Sequence, residues 1–278
     1  MLKDILKRFY FKLNRNPQQI IITPKGARWG NLLYFFLRAY IYKENKHSLK
    51  LLYTEHMKEL LELFPALEAF VIHENDVAFY HKKDASNQFF QVFGKDFSKE
   101  QLNAFIEKYL INSTAFTKVY DLIERPSNNT MTINIRRGDF YENKQGSIYG
   151  YDQIGFLKHV FDKYLNKQYF DKIIIISDNM EWCQQNFSFL EKYSPTVEYP
   201  KFSQNSIQES FCWITKASNL ILSNSTFSFW GAYISNYLQH NESKTYCPIF
   251  GSRRIINTDL YQFNPEWNMI RDFDFGYL

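Results

Sequence analysis

Arg136 and Arg137, followed at once by Gly138 and Asp139, are the residues of this chain best placed to do chemistry together. They follow Met131, Thr132, Ile133, Asn134 and Ile135, four of which suit a buried strand. A strand that ends on two guanidiniums delivers a doubly cationic tip to the carboxyl edge of a sheet. That edge is where open α/β sheets bind ligands. Each guanidinium fork can bond phosphate oxygens bidentately, so the pair suits a diphosphate. The plainer reading is a strand that ends in two solvated arginines and a turn, and this stretch alone does not separate the two.

Two more polar clusters end apolar runs in the same half: Ser177-Asp178-Asn179 and Ser223-Asn224-Ser225-Thr226. The last opens a helix through Phe227-Ser228-Phe229-Trp230-Gly231, and a helix N-terminus with hydroxyls can hold a phosphate. Ser225 or Thr226 can equally be a plain N-cap. Asp178 can accept hydrogen bonds from a ribose or base, or cap the helix after it. Taken together, the three clusters describe a site for a nucleotide diphosphate, with cations and helix dipole for the phosphates and a carboxylate for the nucleoside. Asp272-Phe273-Asp274 matches an Asp-x-Asp metal motif but sits in an irregular stretch near the C-terminus, where a chance match is the simpler account. Arg137-Gly138-Asp139 spells an adhesion tripeptide, discounted at a sheet edge. The six histidines show no metal-ligand spacing, and no Gly-x-Ser-x-Gly elbow occurs.

The elements that must position these clusters alternate. Strands are expected over residues 131–136, 172–177, 196–199, 219–223 and 244–248, with helices over 151–165, 206–218 and up to 238. Continuous apolar strands alternating with helices imply a parallel sheet covered on both faces. In the first half, strands at 19–23, 49–53 and 70–73 alternate with helices at 32–43 and 56–64, and a further helical run covers 101–110. The loop from Pro24 through Gly26, Arg28 and Gly30 to Asn31 lies between strand and helix, a weak anion-binding signal. The Pro126-Ser127-Asn128-Asn129 cluster marks the expected boundary between domains 1–127 and 128–278.

Composition narrows the class. A chain of 278 residues with 45% hydrophobic content builds a core, and its net charge of +4 makes no case for a nucleic-acid binder. The 27 Phe and 20 Tyr accompany abundant Lys, Asn and Ile, as codon bias would produce. Cys183, Cys212 and Cys247 read as buried reduced thiols of a cytoplasmic protein. No apolar run approaches the ~18 residues of a transmembrane helix. Residues 2–13 pattern as a basic amphipathic helix, which could lie on the cytoplasmic face of an inner membrane or pack on its own domain.

The stretches Ile135-Arg136-Arg137-Gly138-Asp139, Ser177 to Cys183 and Asn224 to Ala232 occur in order and together resemble the bacterial α-1,2-fucosyltransferases of glycosyltransferase family 11. The loop Gly26 to Asn31 is similar to that family's N-terminal motif, and the resemblance runs over roughly residues 20–250. It implies an α/β fold of two Rossmann-like domains, glycosyltransferase type B, with the donor GDP-fucose in the C-terminal domain. It also implies inverting transfer to a glycan hydroxyl, the 2-OH of galactose, without a required metal or other cofactor. By motif, Arg136 would hold the β-phosphate with Arg137 in support, and Asp178 would face the nucleoside. Asn224, Ser225, Thr226 and Phe227 would surround the phosphates, with Asn31 reaching across from the N-terminal half. Asp139 is the candidate base, with Glu181 and Glu209 as alternatives better suited to helix surfaces. The family usually carries His where this chain has Asn134 and Gln where it has Leu32. Both departures bear on donor and acceptor choice, so another nucleotide-sugar donor, or a nucleotide- or glycan-binding module without chemistry, stays open.

Overall fold

Strands form in this chain where β-branched and large apolar residues run uninterrupted, and each one pairs in parallel. The computed structural model describes residues 4–6, 18–85, 89–141, 146, 148–202, 206–253 and 263–276. The amphipathic helix expected over 2–13 lies outside the described residues except for 4–6, which are helical. The chain divides into two compact units, Met1–Thr117 and Lys118–Leu278.

In the first unit β1 (Gln19–Ile21), β2 (Leu49–Leu52), β3 (Val71–Ile72) and β4 (Lys82–Asp84) form a parallel sheet in the order β3-β2-β1-β4. Helix α1 (Trp29–Glu44) follows β1 and buries Leu32, Leu33, Phe35, Phe36 and Tyr40. It begins three residues ahead of the expected helix, taking in Trp29 and Gly30.

The second unit carries β5 (Thr130–Ile135), β6 (Lys172–Ser177), β7 (Val197–Glu198), β8 (Asn219–Ile221), β9 (Lys244–Pro248) and β10 (Asn268–Ile270). Their order is β10-β9-β8-β5-β6-β7, all parallel. The chain builds outward from β5 to β7, then returns to lay β8 against the other side of β5. That is the doubly wound order, and the carboxyl edge at the point of return, between β5 and β8, is where such sheets bind ligands. All of β5 is buried. Strand alternation turns Met131, Ile133 and Ile135 into a core with Phe156, Phe161, Ile173, Ile175 and Phe187, which leaves Thr132 and Asn134 for the opposite face.

Helices α2 (Lys58–Leu63), α3 (Lys99–Phe105) and α4 (Thr114–Leu122) complete the first half of the chain, and the short α5 (Gly138–Tyr141) follows β5. The others are α6 (Gln153–His159), α7 (Met180–Asn186), α8 (Ser206–Lys216) and α9 (Thr226–Leu238). Gly231 in the last motif has a packing role. A Cβ there would come within 2.5 Å of Ile214 Cγ2, so only glycine lets α9 lie this close to α8. The three cysteines are free and buried, and burial raises the thiol pKa of Cys183 to about 11 and of Cys212 to about 12. Among the described residues no helix is long and apolar enough to cross a membrane.

Candidate functional site

The end of β5 splits its two arginines into different jobs. Arg137 lies between two rings, its guanidinium carbon 3.6 Å from the Tyr141 centroid and 3.7 Å from that of Trp182. Its Nη1 donates to Gln153 Oε1 at 3.5 Å, and Gln153 Nε2 donates to the Arg136 carbonyl at 2.9 Å. Burial lowers the Arg137 pKa and pushes that of Tyr141 up to about 12. With rings against its guanidinium and Nη1 bonded to Gln153, Arg137 braces the loop. Tyr141 ties the loop further, donating from its hydroxyl to the Tyr151 carbonyl at 2.8 Å.

Arg136 stands at the tip, with a third of its side chain exposed, between two carboxylates. Nη1 is 2.8 Å from Asp178 Oδ2, and Nη2 is 2.6 Å from Asp139 Oδ1. Asp178 also accepts from the Arg137 backbone N–H at 2.7 Å. This carboxylate from the end of β6 therefore clamps the end of β5, and its oxygens face arginines. Gly138 makes room for it, because a Cβ there would sit 2.6 Å from Asp178 Oδ2. Gly138→Ala is thus expected to push Asp178 off Arg136, loosen the tie between the ends of β5 and β6, and lower Tm by about 2–4 °C. Melting curves of the two proteins check this, and an unchanged Tm would remove Asp178 from the positioning of Arg136.

The end of β8 brings the third cluster to the same edge. Ser225 caps α9, its Oγ accepting from Phe227 N at 3.3 Å. Asn224 is buried and donates from Nδ2 to the Tyr149 carbonyl at 3.0 Å, while its Oδ1 has no hydrogen-bond partner among the described residues. Thr226 is the first residue of α9, and Phe227 packs edge-on against Phe211 at 5.2 Å. No acidic residue sits in the first turn of α9, so its positive end is uncompensated by side chains there.

Asn134 joins the clusters from beneath. Its Nδ2 donates to the Ile176 carbonyl of β6 at 3.2 Å. Its Oδ1 accepts from Ser223 Oγ at 2.9 Å and from Ser228 Oγ, and those two hydroxyls are 2.8 Å apart. One buried amide therefore links β6, β5, the end of β8 and the first turn of α9. Sequence inspection flagged Asn134 only as a departure; its period-2 parity with Arg136 was the available signal for its face. Gln153, Tyr141 and Ser228 went unassigned, and Ser223 was read only as part of its cluster, because nothing local to them indicates a partner so far along the chain.

The remaining candidates lie elsewhere. Asn31 is in the first unit, in the first turn of α1, where its Oδ1 accepts from Gln91 Nε2 at 3.0 Å. Glu181 accepts from Gln185 one turn on, and Glu209 is in the first turn of α8. Asp272 of the Asp-x-Asp stretch accepts from Lys163, Tyr164 and His159, and Asp274 from Gly276 N.

With this geometry in place, likeness to known proteins becomes informative. The model of glycosyl transferase family 11 matches residues 43–271. The chain belongs to that family. An alpha-1,2-colitosyltransferase of Escherichia coli is 32% identical over 148 residues, which are 50% of this chain and 47% of that protein. Galactoside 2-alpha-L-fucosyltransferase SEC1 of Bos taurus is 27% identical over 140 residues, 49% of this chain and 36% of that protein. The chain thus spans less than half the length of the curated relatives it matches. A solved structure of POFUT1 in complex with GDP aligns over 83% of this chain and 98% of that one, with 11% identity and a TM-score of 0.49.

In this family 11 chain, the carboxylate of Asp272 is engaged by a lysine, a phenol and an imidazole of the protein. Hydrogen bonds from Lys163, then Tyr164, then His159 hold its pKa far below the ordinary carboxylate range. A depressed folded-state pKa contributes stability above the unfolded value of about 3.9, and the contribution is lost as pH falls below it. Asp272→Asn is therefore expected to lower Tm at neutral pH by a margin that shrinks below about pH 4. A margin constant down to pH 3, in melting curves of both proteins, would remove this carboxylate from the balance.

Proposed function

We propose that the chain transfers L-fucose from GDP-fucose, with inversion, to a glycan hydroxyl such as the 2-OH of galactose. The single observation that carries the reading is the placement of Arg136. In a family 11 chain it stands at the tip of β5, beside the return point of the sheet and at the same edge as the end of β8 that leads into α9. The fold type inferred is glycosyltransferase type B, with the donor held by the second unit. No metal is required in this reading, because Arg136 and the helix dipole carry the phosphate charge.

Departure of GDP builds negative charge on the β-phosphate as the sugar becomes oxocarbenium-like, and a fixed guanidinium stabilises charge where it develops. Arg136 must release a carboxylate to take that phosphate. Asp139 is the more exposed of its two partners, so exchange there would free a carboxylate beside the reacting carbon. That is our reason for naming Asp139 the base for the acceptor hydroxyl. Asp178, bonded to the Arg137 amide, would stay as the brace. Asn224, with an unpartnered buried Oδ1, would receive a donor group of the nucleotide.

A second donor sugar is favoured by one observation, the likeness to a colitosyltransferase. Calorimetric titration with GDP and UDP, then a donor screen and an acceptor array, separates the readings. Tight binding of UDP, or none of GDP, would sink the proposal. Peripheral attachment through residues 2–13 is a separate proposal; failure to co-sediment with anionic vesicles would end it.

A further inference from the structure

Beside Arg136 two aromatic rings form a surface that the phosphate chemistry does not use. The Phe140 centroid lies 5.6 Å from the Arg136 guanidinium carbon. Phe140 stacks on Tyr149, with centroids 5.1 Å apart and planes 24° from parallel. Tyr149 in turn is held by Asn224, whose Nδ2 donates to its carbonyl at 3.0 Å. The stacked pair therefore runs from the tip of β5 to the tip of β8, alongside the entry of α9. Both rings are partly exposed and neither joins the buried core. Tyr141 and Trp182 are engaged more closely, with the Arg137 guanidinium carbon 3.6 and 3.7 Å from their centroids against 5.6 Å for Arg136 over Phe140.

An apolar surface next to a phosphate-binding arginine meets whatever is attached to that phosphate. For a sugar nucleotide this is the hexose. A methyl at C6 gains by leaving water against such rings, whereas a C6 hydroxyl would lose its hydration there without a partner. We propose that Phe140, backed by Tyr149, seats the 6-deoxy sugar of the nucleotide donor and selects a methyl at C6. The proposal rests on the donor reading given above.

Titration of wild type, Phe140→Ala, Phe140→Leu and Tyr149→Ala with GDP, GDP-fucose and GDP-L-galactose, which differs from GDP-fucose only by a hydroxyl at C6, tests it. Phe140→Ala is expected to weaken GDP-fucose about tenfold, or about 1.4 kcal/mol, while GDP changes less than about twofold. The preference for GDP-fucose over GDP-L-galactose should narrow together with that loss. Phe140→Leu keeps bulk but loses the ring face, and should fall between wild type and alanine. Tyr149→Ala should follow Phe140→Ala with a smaller effect. Equal losses for GDP and GDP-fucose would overturn the proposal by making the pair part of the nucleotide site or of the fold. Wild-type binding of GDP-fucose that Phe140→Ala leaves intact would overturn the platform alone. Wild-type binding of none of the three would overturn both this proposal and the donor reading.

Discussion

Arg136→Ala is expected to lower kcat/KM for sugar transfer by about 10²-fold or more while leaving the protein folded. The figure follows from what the guanidinium would do as GDP departs. A hydrogen bond to a charged group contributes about 1.5–3 kcal/mol, and about 2.7 kcal/mol is a factor of 10² in rate. The loss should fall mainly on kcat, since the phosphate charge grows as the bond to the sugar breaks. Arg136→Lys keeps the charge but loses the planar fork that now reaches Asp139 and Asp178 with separate nitrogens, and should recover only part of the loss. The fold should tolerate both changes because the side chain is at a partly exposed tip. A melting curve beside steady-state kinetics makes the check, and turnover of Arg136→Ala within threefold of wild type would refute the assignment.

Asn134→Ala should have the largest effect on stability, roughly 3 kcal/mol, or about 6–12 °C in the melting of the second unit. Asn134 is 6% exposed and bonds Ile176 through its nitrogen and Ser223 and Ser228 through its oxygen. Removing it leaves a buried carbonyl with one partner fewer and two hydroxyls with only each other. Buried polar groups deprived of partners lose about 1–3 kcal/mol each, which sets the figure. Activity should fall with stability, because the same amide aligns the tip that carries Arg136 with the first turn of α9. The related enzymes' histidine offers a rescue. A neutral imidazole also has one donor and one acceptor on a planar group, so Asn134→His should retain more stability than Asn134→Ala. Scanning calorimetry of the variants decides, and an Asn134→Ala protein that melts with wild type would show the network to be energetically idle.

Much of the second unit was legible because its strands are buried on both faces. A run such as Lys172 to Ser177 has to be continuously apolar to survive there, and its bounds match the expectation. Edge strands escape that demand. Among the described residues β4, Lys82-Lys83-Asp84, pairs only with β1, and β10 only with β9; neither was anticipated. The helix over residues 151–165 was found, yet it is α-helical only to His159 and continues with a π turn over Val160–Tyr164, which side-chain periodicity does not resolve.

The polar strand ends themselves were determined by the sequence alone, since an apolar run that stops on Arg136, Asp178 or Ser223 must place those residues where the strand leaves the core. Tertiary structure decided their partners. Nothing local to Ile133 states that Ile221 will lie beside it while β7 is carried to the far side of β6. That strand order pairs Arg136 with a carboxylate 42 residues away and hands Asn134 to two serines some 90 residues on. The distinction between the ion-paired Arg136 and the stacked Arg137 has the same origin. The two arginines are adjacent and chemically identical in the chain, and only tertiary packing sets one between Tyr141 and Trp182 and the other between Asp139 and Asp178.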